Sequence, residues 1–295
     1  MTTPFEQPAS LRVMITGAAG NIGRTLRAHF KDRYRLLRLT DVAAQQAAAA
    51  GEEVQRVDVL DMPALEASMR GIDCVIHLAG IPEEDSWERI LPVNIAGCYN
   101  VFEAARRQGV RRVVFASSNH AVGFHRRETF IDTLVQPRPD GRYGVSKVFG
   151  EAVGRLYADK YGLSVACMRI GSFRPSDRPS ESRHLLTWIS HRDMAQLASR
   201  CVEHPAYHFV VVYGVSNNLR NRWDNTPAKA LGYWPQDDAE TFAAEVLVTS
   251  PPEDPIAAQF HGGMYCPMEF VGDTTRIDGG AAGPMPGATS PARKD

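Results

Sequence analysis

The chain is short of paired cysteine: Cys74, Cys98, Cys167, Cys201 and Cys266 are odd in number, scattered, and form no C-x-x-C pair. That pattern argues against a disulfide framework and a structural zinc site, and fits a reducing compartment. No metal is expected. No stretch approaches the ~18 uninterrupted apolar residues of a membrane helix. Met1 to Ser10 has neither the basic region nor the apolar core of a secretion signal. A cytoplasmic protein, neither secreted nor membrane-spanning, is the expectation. An excess of either charge is also missing: 33 basic and 34 acidic side chains leave a formal net charge of -1. Nothing in that balance draws nucleic acid or an anionic membrane, so small molecules are the expected partners.

What the chain does have is length and apolar content. Its 295 residues are 44% hydrophobic, ample for one large packed α/β domain or two smaller ones. No repeat of fixed period is visible. Residues 279–295 are rich in Gly, Ala and Pro, have little to bury, and are expected to be disordered. Residues 1–278 are read as a single Rossmann-type domain. Its substrate-closing part lies mainly in 172–190 and 217–278, with Trp223, Leu231, Tyr233, Trp234 and Phe242 available to cover a cleft.

Short apolar runs alternate with helical spacing. Leu11 to Thr16, Arg35 to Thr40, Glu53 to Val57, Asp73 to Leu78, Arg112 to Ala116, Ser164 to Ile170 and His208 to Tyr213 read as strands. Between them come helical stretches, including Ala96 to Gln108 ended by Gly109 and Tyr143 to Tyr161 ended by Gly162. Ser190-His-Arg-Asp193 has the spacing of a capping box and opens another helix. The pattern predicts an α/β fold with a doubly wound parallel sheet of about seven strands and a small C-terminal substrate-binding part.

The glycines Gly17, Gly20 and Gly23 follow the first strand and open a helix, the context a dinucleotide-binding turn requires. Pyrophosphate would meet the free N-H groups of that helix, with Asn21 and Ile22 in its first turn. Asp41 ends the second strand, where a carboxylate can bind adenosine ribose hydroxyls and repel a 2′-phosphate, so NAD is expected over NADP. An ordinary turn aspartate is the blander alternative. Arg38 is expected to point away from the cofactor by strand alternation. Asp58 and Val59 would lie beside the adenine, and Leu78, Ala79, Gly80 and Ile81 end the fourth strand at the same sheet edge.

Tyr143 and Lys147 are four residues apart, which on a helix puts phenol and ammonium on one face. A nearby cation lowers a phenol pKa from its usual ~10 and suits Tyr143 to accept a proton. Upstream lies Ser117-Ser118-Asn119-His120. Either serine could cap a turn, and His120 could be a half-buried core histidine.

These residues together resemble the extended short-chain dehydrogenase/reductase family over nearly the whole chain. More narrowly, Phe115-Ala-Ser-Ser-Asn-His120, Pro139-Asp-Gly-Arg-Tyr-Gly-Val-Ser-Lys147, Arg169-Ile-Gly-Ser172, Thr187-Trp-Ile-Ser-His191 and Trp223-Asp-Asn225 are similar to the uronate dehydrogenases. The resemblance implies that hydride passes from C1 of a pyranose uronic acid, galacturonate or glucuronate, to NAD, giving an aldarolactone. It implies Tyr143 as proton acceptor, Lys147 on the nicotinamide ribose, Ser118 orienting the substrate hydroxyl, and Ile170 beside the nicotinamide. Asn119, His120 and Ser172 would meet the sugar, and Arg183 the carboxylate, through two parallel hydrogen bonds. The chain departs from the family at Pro82, where some members carry serine. The Ser172–Arg183 segment is also longer and contains Arg174 and Arg178 as rival anchors.

A nucleotide-sugar epimerase uses the same Ser, Tyr and Lys, and a non-catalytic NAD sensor uses the same fold. The short C-terminal part leaves little room to grip a nucleotide diphosphate, and Tyr143 with Lys147 counts against a sensor. If the two long helices expose apolar stripes, a homo-oligomer could form through them.

Overall fold

The computed structural model describes residues 7–278. The expectation of disorder for 279–295 lies outside these residues.

Alternating apolar residues with both faces covered make the strands of a buried parallel sheet. In β1 (Arg12–Thr16), Val13 and Ile15 enter one apolar cluster and Met14 the other. Next come β2 (Leu36–Asp41), β3 (Glu52–Arg56), β4 (Cys74–His77), β5 (Arg112–Ser118) and β6 (Ser164–Ile170). Two short strands, β7 (Ser172–Phe173) and β8 (Trp188–Ile189), pair with each other, and β9 (Phe209–Gly214) returns to the main sheet. The main sheet has seven strands in the order β3-β2-β1-β4-β5-β6-β9, and every pairing is parallel. The predicted doubly wound sheet is therefore present, with strand ends shifted by a residue or two at most.

The helices in chain order are α1 (Asn21–His29), α2 (Met62–Met69), α3 (Trp87–Ile90), α4 (Cys98–Arg107), α5 (Arg142–Tyr161), α6 (His184–Thr187) and α7 (His191–Glu203), followed by the short α8 (Thr226–Ala230) and α9 (Ala243–Thr249). Leu26 of α1 and Leu197 and Cys201 of α7 pack on one face of the sheet. Leu65 of α2, Phe102 of α4 and Tyr157 of α5 pack on the other. Each such buried side chain contributes roughly 1.5–3 kcal/mol relative to exposure, so both layers are firmly held to the sheet.

Three local expectations need correction. The helix read as Ala96 to Gln108 begins earlier: α3 runs through a π-helical turn, Leu91–Gly97, directly into α4. Pro92 and Gly97 hide that continuity in the sequence, because both normally interrupt helices. The capping box before α7 is half made. The Ser190 hydroxyl accepts from the Asp193 amide, but Asp193 accepts instead from Ser216 Oγ and the Gln236 and Asp237 amides. The aromatic group expected over the cleft is elsewhere. Leu231 and Tyr233 join the core beside α7, Trp223 stacks on Tyr213, Phe242 packs against Trp188, and Trp234 is exposed. Large apolar side chains gain more against the core than over a polar cleft.

Candidate active site

Strand order reverses between β1 and β4, and a cavity of about 740 Å³ opens at the carboxyl ends of the strands there, where open α/β sheets bind ligands. It brings together every site residue expected from the sequence. Gly17, Gly20, Asn21, Ile22, Gly23, Asp41, Asp58, Val59, Leu78, Ala79, Gly80, Ile81 and Ile170 line one part. Ser118, Asn119, His120, Tyr143, Lys147, Ser172 and Arg183 line the rest.

The first part suits a dinucleotide. Gly17 has φ 69°, and a Cβ there would come within 2.6 Å of the Ala79 backbone amide, so only glycine joins β1 to the β4 loop this closely. The N-cap of α1 is Gly20, with no side-chain cap and no acidic residue in the first turn, which leaves the helix N-terminus open to phosphate. Asp41 accepts from the Ala19 and Ala43 amides at 2.9 Å each, fixing its carboxylate at the end of β2. Asp58 accepts from the Leu60 amide, and its side chain stands at the exposed rim. Arg38 is tied to Glu53 and to the Ser68 and Arg70 carbonyls, and does not line the cavity.

At the other end, alternation along β5 separates the two serines. Ser117 also borders the cavity, but its hydroxyl turns to α5 and donates to Glu151 at 2.6 Å; Glu151 also forms a buried ion pair with Arg169 that joins α5 to β6. Ser118 faces the cavity and accepts from the His120 amide. Helix α5 lies tight on the sheet because Gly150 has no side chain: a Cβ there would sit 2.2 Å from the Phe115 ring. That approach brings Tyr143 and Lys147, one turn apart, up to Ser118.

Lys147 is buried, donates to the Ala116 carbonyl at 2.9 Å, and has its ammonium 5.2 Å from the centre of the Tyr143 ring. Burial draws the lysine pKa down to about 8. The expected depression of the tyrosine is not found. Burial raises the Tyr143 pKa above its ordinary value, a hydrogen bond with Ser118 opposes the rise, and the negative charge of Asp140 adds to it. The physical reason is that loss of water around the phenol outweighs an ammonium already engaged by a backbone carbonyl.

Arg183 is buried and forms no ion pair among the described residues. Its Nε and Nη2 donate to the His261 carbonyl at 2.9 and 2.7 Å, and Nη1 reaches Ser172 Oγ at 3.4 Å. Burial lowers its pKa, although a guanidinium stays charged at working pH. Of its rivals, Arg178 pairs with Glu245 outside the cavity, and Arg174 stands exposed at the rim. Asn119 was expected to meet a sugar hydroxyl. In the amide orientation that satisfies both ends, it donates to the Ile170 carbonyl at 3.1 Å and accepts from Arg183 at 2.6 Å. It thus helps hold the arginine.

Four residues at or behind this end were not singled out from the sequence. Asn94, in the π-helical turn, exchanges hydrogen bonds with the Ile81 backbone and donates to Ser146 on α5. Tyr265 stacks on His120 with ring centres 4.0 Å apart. Asp140 accepts from or shares a proton with His120 Nδ1 at 2.7 Å. Glu84 accepts from the Arg142 and Tyr143 amides at 2.9 and 2.8 Å, capping α5, whose own N-cap Gly141 has no side chain to do so. A π-helical turn is the one signal of these that often accompanies function, and it too needs coordinates to be seen. Replacing Glu84 by alanine leaves two first-turn donors of the Tyr143 helix without their acceptor. The expected loss is about 1–2 kcal/mol of stability, comparable to removing a helix cap, read as a fall in Tm.

The model of the NAD dependent epimerase/dehydratase family matches residues 13–208. The uronate dehydrogenase of Pseudomonas putida is 41% identical over 266 residues, 90% of this chain and 97% of that protein. The chain belongs with the uronate dehydrogenases in this family. That of Pseudomonas syringae pv. tomato is 40% identical over 274 residues, 92% of this chain and 97% of the relative. Among solved structures, the uronate dehydrogenase from Agrobacterium tumefaciens, as a tyrosine-to-alanine mutant complexed with NAD, superposes with a TM-score of 0.83. It has 41% identity and covers 88% of this chain and 97% of that one. The protein is an NAD-dependent oxidoreductase, and the open α1 terminus, the glycine turn and Asp41 are the residues that fit the cofactor. No helix of the described residues is long and apolar enough to cross a membrane.

Proposed function

We propose that this enzyme oxidises C1 of a pyranose uronic acid, galacturonate or glucuronate, to an aldarolactone. Bound NAD supplies the hydride acceptor. NAD would be held by the glycine turn, the α1 terminus and Asp41 and would take up the C1 hydride; Tyr143 would accept the proton of the C1 hydroxyl as the carbonyl forms. Ser118 orients that hydroxyl beside the phenol. Lys147 favours the tyrosinate electrostatically and has an ammonium suited to the nicotinamide ribose. Asp41 would reject a 2′-phosphate by charge. Residues 172–190 and 217–278 supply the substrate-closing part of a single Rossmann-type domain; Ser172, Arg183 and Tyr265 are its members nearest the chemistry.

One observation carries the choice of substrate: Arg183, a buried guanidinium at the cavity with neutral partners and no ion pair among the described residues. Burying a charge without a counter-ion is costly, and a substrate carboxylate would supply that counter-ion. The test is NADH formation followed by absorbance with galacturonate and glucuronate, beside galactose and NADP. Turnover with uronates and NAD, and little with galactose or NADP, is the expected result. No turnover with any free sugar, but activity on UDP-sugars, would instead make the enzyme a nucleotide-sugar epimerase.

A further inference from the structure

His120 lines the substrate end of the cavity and pairs with the buried Asp140 behind it. Nδ1 of the imidazole lies 2.7 Å from Asp140 Oδ2, and the carboxylate side chain is 0% exposed. Asp140 immediately precedes the Gly141 cap of α5, where an aspartate would ordinarily serve the helix terminus. Here that work is done by Glu84. The chain instead makes a slot for the carboxylate. A Cβ on Gly123 would lie 1.9 Å from Asp140 Oδ2, and one on Gly262 only 1.8 Å from it. These two glycines come from separate segments joined by a hydrogen bond from the Gly262 amide to the Gly123 carbonyl. Burying a carboxylate is unfavourable, and a slot closed on two sides for a residue that caps nothing calls for another purpose.

A carboxylate only accepts hydrogen bonds, so its partner Nδ1 carries the hydrogen, and in the neutral ring Nε2 keeps its lone pair. The ring plane is fixed from the other side by Tyr265, stacked at 17°. Through Nδ1 the ring is engaged by Asp140, while His120 itself lines the cavity. We infer that Asp140 is a positioning residue: it holds His120 in the Nδ1–H tautomer so that Nε2 accepts a hydrogen bond from a hydroxyl of the bound sugar acid. This deepens, and rests on, the uronate function proposed for the same cavity. It makes one side of the site an acceptor, while Arg183 on the other side is a donor.

The experiment combines a double-mutant cycle with a direct reading of the tautomer, both on the full chain. Asp140→Asn keeps the shape but lets an amide donate to Nδ1, which favours the opposite tautomer. Its kcat/KM for galacturonate should fall about 10- to 100-fold, the range found when carboxylates that orient metal-bound histidines are removed. NAD affinity, measured by fluorescence quenching, should stay within about 2-fold, since Asp140 acts on the sugar side of the site. In a His120→Ala background the same substitution should add almost nothing. Parental kinetics in Asp140→Asn, or losses that multiply in the double variant, would overturn the inference. Should Asp140→Asn fail to fold, ¹⁵N spectra of histidine-labelled parent protein decide: an Nδ1–H signal, identified by its loss in His120→Ala, supports the inference, and an Nε2–H signal overturns it. That reading needs no turnover, so failure of the uronate function is distinguishable from failure of the Asp140 role.

Discussion

Tyr143→Phe is expected to lower kcat for uronate oxidation about 1,000-fold, the middle of the range for a positioned general base, or about 4 kcal/mol of transition-state stabilisation. The ring is retained, so its edge contacts with His120 and Tyr265 survive, at 5.8 and 6.3 Å between ring centres. Only the phenolic oxygen is lost. KM for the sugar and affinity for NAD should therefore change little, and Tm should fall by no more than a few degrees, because only the hydrogen bond with Ser118 is lost, worth about 1 kcal/mol. Turnover of the parent enzyme should rise from neutral pH and then level off or fall above about pH 8. The two groups pull in opposite directions: a larger fraction of Tyr143, whose pKa is raised, becomes competent to accept the proton as pH increases, while the Lys147 pKa of about 8 sets where the supporting cation begins to be lost. A plateau or decline at the upper end would mark that loss. Steady-state NADH kinetics on both proteins from neutral to alkaline pH check this. Equal kcat in the two proteins would remove Tyr143 from the chemistry.

How much of this was legible beforehand depended on whether a signal was local. The seven strands were readable because each carries its apolar signal within four to seven residues, and β4, the shortest, is buried along its whole length. Gly17 to Gly23 and Tyr143 to Lys147 announce themselves because one helix turn or one loop contains the whole chemical unit. Arg183 was identifiable only through the family resemblance, since the carbonyl that holds it, His261, lies 78 residues away. Glu84 looks like any loop acid until α5 is placed over it, 58 residues later in the chain. Asp140 was quoted within a motif, yet its burial depends on Gly123 and Gly262, neither of which is adjacent to it. The expected depression of the Tyr143 pKa failed for a related reason. Sequence spacing brings an ammonium near a phenol, but says nothing about how completely water is excluded from both or that Ala116 occupies the ammonium.

Arg183→Met should separate the substrate anchor from the fold. In the parent protein the guanidinium is held by the His261 carbonyl and Asn119 while bearing the cost of burial without an ion pair among the described residues. Methionine has a similar apolar stem and no charge, so the relief from desolvating a buried ion offsets the loss of those hydrogen bonds, each worth about 1.5–3 kcal/mol from a charged donor. Tm without substrate should consequently move by no more than a few degrees. Catalysis is a different matter. Removing one partner of a buried, hydrogen-bonded charge pair costs about 2–5 kcal/mol, so kcat/KM for galacturonate should drop by at least roughly 30-fold, mostly through KM. Galactose has no carboxylate to lose, and its turnover, however low, should be unchanged, so the preference for the acid collapses. Thermal stabilisation by added galacturonate, expected in the parent through binding to the native state alone, should vanish with it. If Arg183→Met kept the parental preference while a substitution of Arg174 abolished it, the carboxylate would belong at the exposed rim of the cavity, with Arg183 serving only to close its wall.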